Sequence, residues 1–170
     1  MTSEAATGVR LTTRSGLEIA VRPATPGDET ALRDLFQAVS PEDRRFRFLT
    51  ACDHLSDSQI AAMTQIDHLH SESFLAFAGD ELVASGVIAC DKAFESAEVA
   101  ISIRSDRKGQ GIGWTLLDYL TGEARRRGVK KLMSIESREN HQAIELEREM
   151  GFTAQPVEGD STLVMLETRF

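Results

Sequence analysis

The chain has 170 residues and a mass of 18.7 kDa, room for one domain with a core of its own. Hydrophobic residues make up 41% and charged residues 27%, a balance that excludes disorder and collagen-like structure. Nineteen Lys+Arg against 27 Asp+Glu give a formal net charge of −8, whereas a general nucleic-acid binder carries a basic stripe and a high pI. Cys52 and Cys90 are too few for a disulfide framework, and neither sits in a CxxC motif. No run reaches the roughly 18–20 apolar residues that a membrane-spanning helix needs. Residues 1–15 lack an apolar signal-peptide core and read as a mobile tail ahead of a single domain, 16–170. Reduced thiols and the missing signal point to the cytoplasm.

Leu17, Ile19 and Val21 alternate with Glu18, Ala20 and Arg22 up to Pro23, the pattern of a half-buried strand. Pro26-Gly27-Asp28 opens a helix with Leu32, Leu35, Phe36 and Val39 at helical spacing. Ser40-Pro41-Glu42-Asp43 has the grammar of a second helix start: Ser as N-cap, Pro first, acids in the first turn. Residues 56–63 form another short helix. Segments 73–78 and 82–90 are strand-like and joined at Gly79-Asp80-Glu81, a hairpin; Val99, Ile101 and Ile103 alternate in a third strand. A glycine cluster then precedes a helix carrying Leu116, Leu117, Leu120 and Ala124 on one stripe, closed by Arg125-Arg126-Arg127-Gly128. A strand over 129–135, a helix from Asn140 to Gly151 and two strands near 152–157 and 162–167 complete an α/β (α+β) pattern.

The cluster Lys108-Gly109-Gln110-Gly111-Ile112-Gly113 carries the richest signal. Alternating glycines let the backbone approach a ligand, and the helix behind them begins with unpaired N–H groups and about half a positive charge. Together they suit a pyrophosphate, with Arg104, Arg107 and Lys108 adding attraction. A Walker A loop needs Lys-Ser/Thr after its last glycine, and Gly113 is followed by Trp114-Thr115. The dinucleotide fingerprint GxGxxG fails as well, because the third glycine comes one residue early. A glycine-rich turn with no ligand is the plain alternative.

Lys108 to Gly113 resembles the acyl-CoA loop [Q/R]xxGx[G/A] of the GNAT superfamily of N-acetyltransferases, with Lys108 at the Gln/Arg position. Asn140-x-x-Ala143-Ile144-x-Leu146, leading to Met150-Gly151-Phe152, is similar to the family's next motif at its usual distance. Val21-Arg22-Pro23-Ala24, the segment from Ser40 to Phe48, Ile66-Asp67-His68 and Ala97-Glu98-Val99-Ala100 resemble the bacterial protein-lysine acetyltransferase branch. The resemblance implies a mixed, mostly antiparallel sheet flanked by about four helices and splayed between its middle strands. It also implies acetyl-CoA as donor, no metal, and an amine acceptor, a protein lysine or a small cationic amine. Neither nucleic acid nor membrane is expected as a partner; the oligomeric state stays open, a homodimer included.

Acetyl transfer requires a neutral amine, and a lysine-type ammonium of pKa about 10.4 holds its proton at neutral pH. By resemblance Glu98, at the start of the strand entering the loop, is the base, directly or through a water; partial burial should then raise its pKa. Its plain alternative is a solvated strand-edge acid, and His68, Asp67, Glu95 and Glu72 compete for the role. The family polarises the thioester carbonyl with backbone N–H groups of that strand, here Ile101, Ser102 and Ile103, whose side chains also suit the sheet core. The diphosphate falls to Lys108, Gly109, Gln110, Gly111, Ile112 and Gly113. Asn140 is either a CoA contact or an N-cap. Where many members place a Tyr to protonate the departing thiolate, this chain has Glu147; its one tyrosine, Tyr119, lies in the preceding helix.

The remaining features read blandly. Arg44-Arg45-Phe46-Arg47-Phe48 suits a helix that packs its Phe and solvates its Arg, Cys90 a buried inert thiol, and Trp114 simple packing. His54, His68, His70 and His141 show no metal-like pairing with cysteine. Beside the enzyme stand two other readings: a non-catalytic acyl-CoA-binding module, and a nucleotide-binding domain that uses the glycine loop differently.

Overall fold

The computed structural model describes residues 8–50 and 52–170. In chain order it contains β1 (Val9–Thr12), β2 (Glu18–Pro23), α1 (Glu29–Ala38), α2 (Pro41–Phe48), α3 (Asp57–Thr64), β3 (Ser71–Ala78), β4 (Glu81–Cys90) and β5 (Ser96–Ile103). After the glycine loop come α4 (Ile112–Arg126), β6 (Lys131–Ser137), α5 (His141–Glu149), β7 (Thr153–Val157) and β8 (Asp160–Arg169). The eight strands form one sheet in the order β1-β2-β3-β4-β5-β6-β8-β7. Every neighbouring pair is antiparallel except β5 with β6. This is the mixed, mostly antiparallel sheet expected, with five α-helices in place of about four. About four is what the resemblance implies; the chain's own helix starts indicate five, and Val39 and Ser40 are extended before Pro41 opens α2, as the Ser40-Pro41 start indicates.

One sequence expectation is corrected. Residues 1–15 were read as a mobile tail, yet Val9–Thr12 pairs with β2 from Val9↔Val21 to Thr12↔Glu18. Ser15 Oγ then donates to the Gln110 carbonyl at 2.6 Å, fastening the following turn to the glycine loop. Four residues with one half-buried side chain, Leu11, carry too little alternation to read; tertiary pairing makes the strand. Residues 1–7 lie outside the described residues.

The sheet separates two apolar cores. On one face α4 seats Leu116, Leu117 and Leu120, all at most 2% exposed, against β4 and β5. Gly86 of β4 makes that approach possible, because a Cβ there would lie 2.8 Å from Leu120 Cδ1. On the other face Leu32, Leu35 and Phe36 of α1 join Ile60 and Met63 of α3 over Leu75 and Phe77. Among the described residues no helix is long and apolar enough to cross a membrane.

Helix α2 is held by its own polar groups more than by apolar burial. Ser40 Oγ accepts from Asp43 N at 3.1 Å, the N-cap the sequence indicates. Arg44, far from solvated, is buried and donates through Nη1 to the carbonyls of Phe36 (2.9 Å) and Val39 (2.7 Å) and through Nε to that of Cys52 (3.2 Å). One guanidinium thus ties α1, α2 and the following loop together. Replacing it strands three carbonyls, so Arg44→Ala should lower unfolding stability by about 3 kcal/mol, measured as a fall in the urea midpoint, and Arg44→Lys should recover only part of the loss.

Candidate active site

The cleft follows from how two strands part. β5 and β6 pair over three residues only, Ser96↔Lys131, Ala97↔Leu132 and Glu98↔Met133. Beyond Glu98, β5 continues to Ile103 paired with β4 alone, and β6 continues to Ser137 paired with β8 alone. A cleft of about 420 Å³ opens between them, with α2 along one rim and α5 along the other. The β5 edge that faces β6 there has backbone groups without a strand partner, available to a ligand.

At its wide end lies the start of α4. Gly111 is the N-cap with φ 83, a left-handed conformation, and Thr115 N is the amide that bonds back to its carbonyl. The N–H groups before Thr115 therefore point out of the helix, toward the cleft mouth. The cradle is tight: a Cβ on Gly111 would lie 3.3 Å from Thr13 Cβ, and one on Gly113 3.3 Å from Ile103 Cδ1. Three cations line this end. Arg14 lies 4.7 Å over the Trp114 ring and pairs with Glu149, Arg107 pairs with Glu81, and Lys108 Nζ donates to Asp43 Oδ2 at 2.7 Å. Arg104, expected to help, turns instead to Asp106 and Glu81 and does not line the cleft.

At the narrow end stands Glu98. Its neighbours Ala97 and Val99 are buried while Glu98 itself is exposed, so the partial burial expected of a base is not what the fold provides. The strand alternation that sinks its neighbours into the core turns Glu98 to the open side. Arg47, from α2, lines the same stretch, and its charge is felt by both Glu98 and Glu136. Burial weakens the guanidinium's hold on its proton, and the two carboxylates offset this. Phe46 and Leu49 give this end an apolar rim; Leu49 ends α2 with a left-handed backbone, φ 56.

The buried carboxyls lie on the far wall. Glu136 of β6 accepts from Ser134 Oγ at 2.6 Å and from Asn140 Nδ2 at 3.3 Å. Glu147 of α5, 4% exposed, is pushed up to about 9, first by burial and then by the charge of Glu136. Burial also raises Glu136, while Ser134, Glu147, Asn140 and Arg47 oppose the rise. Two carboxyls in contact away from water do not both ionise, so the pair retains a proton at neutral pH.

Glu98, Ile101, Ser102, Ile103, Lys108, Gly109, Gly111, Ile112, Gly113 and Asn140 line this cleft as the sequence anticipates. Gln110 does not: its carbonyl accepts from Ser15 and its Oε1 is buried. Asn140 caps α5 by accepting from Ala143 N, the second of its two readings, and it also borders the cleft. His68, Asp67, Glu72 and Glu95 do not line the cleft; His68 Nδ1 lies 2.8 Å from Glu72 Oε1 and Glu95 pairs with Lys130. Trp114 and Arg47, read as packing and solvated residues, are cleft residues. Sequence reasoning missed Arg14, Asp43 and the Ser134–Glu136 pair; the legible hint was Ser134 and Glu136 falling on either side of Ile135, on one face of β6. Burial raises the Cys90 thiol pKa, in keeping with an inert sulfur. Among the described residues no group of three His, Cys, Asp or Glu could hold a metal.

Comparison with known proteins bears on this geometry directly. The family model for the acetyltransferase (GNAT) family matches residues 31–152. Acetyltransferase PA5475 of Pseudomonas aeruginosa is 29% identical over 155 residues, 88% of this chain and 83% of that protein. The crystal structure of the GNAT domain of S. lividans PAT superposes with a TM-score of 0.89 at 24% identity, covering 99% of this chain and 100% of that one. YncA of Salmonella typhimurium, solved with its cofactor acetyl-CoA, gives 0.69 at 18% identity over 89% and 93% of the two chains. Those structural likenesses carry the fold, and the family match spans the glycine loop, both walls of the cleft and the helix that borders it. The chain belongs to the GNAT family of acetyltransferases, N-acetyltransferases that draw their acetyl group from acetyl-CoA.

Proposed function

We propose that this chain moves the acetyl group of acetyl-CoA directly onto an amine, a protein lysine or a small cationic amine, with Glu98 as the base. The observation that carries the reading is the parting of β5 and β6 immediately after Glu98, which puts an anion-binding helix start and a carboxylate at opposite ends of one cleft. From Ile103 back to Glu98 the strand runs roughly 17 Å, enough for an extended pantetheine arm. The diphosphate would rest on the amides of Gly109, Gly111, Ile112 and Gly113, with Lys108, Arg107 and Arg14 nearby. The N–H groups of β5 alternate between its two edges, so Ile101 and Ile103 would offer theirs to the cleft, polarising the thioester carbonyl and holding the oxyanion, while that of Ser102 turns to β4. Glu98 attracts the cationic acceptor and takes its proton, directly or through a water. An acidic chain favours a cationic partner at long range as well. Two thiols free of any disulfide support a reading in the cytoplasm, and a homodimer is compatible with it.

Coenzyme A release from acetyl-CoA should appear on adding members of a polyamine and lysine-peptide panel, with the acetylated product seen by mass spectrometry. Glu98→Gln should lower kcat about 100-fold or more while the Kd for CoA stays unchanged. Turnover left intact in that variant would remove Glu98 from the base role. Gly111→Val forces a β-branched residue to φ 83 and crowds Thr13, so calorimetry should show CoA affinity reduced about 10-fold or more, with the fold retained by circular dichroism. Glu147 in place of the usual Tyr is the one feature that favours a non-catalytic module. That module would bind acetyl-CoA and never acetylate any member of the panel.

A further inference from the structure

The reaction as described leaves one charge without an owner. When the carbon–sulfur bond breaks, coenzyme A departs as a thiolate, and no group named so far supplies its proton. Glu98 stands at the acceptor end and takes a proton from the amine, so it cannot give one at that moment.

The far wall of the cleft holds a pair built differently. Asn140, Ala143 and Glu147 fall on one stripe of α5 and all three border the cleft. Glu147 is 4% exposed, and its Oε1 is buried with no hydrogen-bond partner among the described residues. The rest of the carboxyl lies against Ser134 and Glu136. The two acids are not equivalent. Both Glu136 oxygens receive donors, Ser134 Oγ on Oε1 and Asn140 Nδ2 on Oε2, and Arg47 from α2 adds positive potential there. Those contacts favour Glu136 as the ionised member. Glu147 has an oxygen with no donor, and the charge that acts on it is that of Glu136 from β6. The shared proton therefore resides on Glu147, a neutral acid in a dry wall, while the exposed Glu98 faces it from across the cleft. Environments that push two carboxyls apart in this way assign one as acid and the other as base.

We propose that Glu147 is the catalytic acid of this enzyme, protonating the sulfur of departing coenzyme A, with Glu136 as its positioning residue. The inference rests on the acetyl-transfer reading above. Glu98 first takes the extra proton of the cationic acceptor and passes it to solvent; the neutral amine nitrogen then attacks the thioester carbonyl carbon, and the second proton it sheds passes to Glu98. The tetrahedral intermediate collapses, the carbon–sulfur bond breaks with its electron pair going to sulfur, and sulfur takes the carboxyl proton of Glu147. The products are the amide and the neutral thiol. Glu136 and Glu147 are then both charged and repel, so Glu147 regains a proton from water as coenzyme A leaves; Glu98 loses its own to solvent.

The test compares Glu147→Gln and Glu136→Gln with the wild type in pH profiles of kcat, using acetyl-CoA and the best amine of the panel. Because the acid raised by burial works only while protonated, wild-type kcat should fall on the alkaline side. Glu147→Gln keeps the shape and the neutral state but has no transferable proton. It should lose about 100-fold in kcat at pH 7.5, leave the KM for acetyl-CoA within about threefold, and erase the alkaline limb. Glu136→Gln removes the charge that lifts Glu147, so its limb should move to lower pH rather than vanish. A Glu147→Gln enzyme with wild-type kcat and the same limb overturns the proposal, since a purely structural side chain would behave so. A readout that needs no acceptor is carbon-13 NMR of the Glu147 carboxyl in the wild-type complex with coenzyme A: a protonated signal at pH 7 is expected, and an ionised one overturns the assignment. Failure of the acetyl-transfer reading would look different, as wild-type protein that acetylates nothing or shows no binding of coenzyme A.

Discussion

The pairing of β5 with β6 lasts three residues and stops, and the rest of the molecule is arranged around that stop. A continuous ladder would satisfy the backbone groups of both strands and leave no cleft. Here each strand keeps one partner, β4 or β8, and offers its other edge to whatever enters. The cost of leaving a row of N–H and C=O groups without a strand partner is met by building walls that a polar ligand can complete. Helix α4 fixes the wide end, α2 and α5 form the rims, and the carboxyls are sorted by which wall they occupy.

In the proposed reaction, that sorting would turn a binding groove into a reaction site. Glu98 and Glu147 are both glutamates within one cleft, yet one stands exposed on a strand that alternates its neighbours into the core, and the other is sealed under α5 beside a second acid. Identical side chains acquire opposite tendencies through solvent access and neighbouring charge. Arg47 links the two ends electrostatically, since it faces Glu98 and Glu136 at once from a helix pinned by the buried Arg44.

Much of the layout was legible in the amino-acid sequence, for reasons that can be named. The glycine loop, α4 and β6 have strong local signals: a left-handed glycine N-cap, a leucine stripe at helical spacing, and arginines before Gly128. The Ser40 cap and the alternation of β2 and β5 are likewise local. β1 was invisible because four residues hold too little pattern, and only pairing with β2 makes them a strand. Glu98 was anticipated in place but not in environment, since exposure depends on where two strands diverge and no short window encodes that. Arg14 and Asp43 reach the cleft through contacts 65 or more residues apart in sequence, as in Lys108 with Asp43 and Arg14 with Glu149. The Glu136–Glu147 pair is also non-local: each residue alone looks like an ordinary acid on an amphipathic element.

Gly86 lies in the middle of β4, remote from every charged group in the cleft, and it sets how deeply α4 sits on the sheet. A methyl grafted there would meet Leu120 Cδ1 at 2.8 Å and Leu116 at 3.4 Å; where the helix rather than those side chains gives way, its first turn moves too, and with it the amides proposed to meet the diphosphate. A defect in hydrocarbon packing would then surface in an assay as poor donor affinity, with the chemistry of the reacting groups intact. In this architecture the grip on a highly charged nucleotide is calibrated by the absence of a single carbon atom in an oily interior.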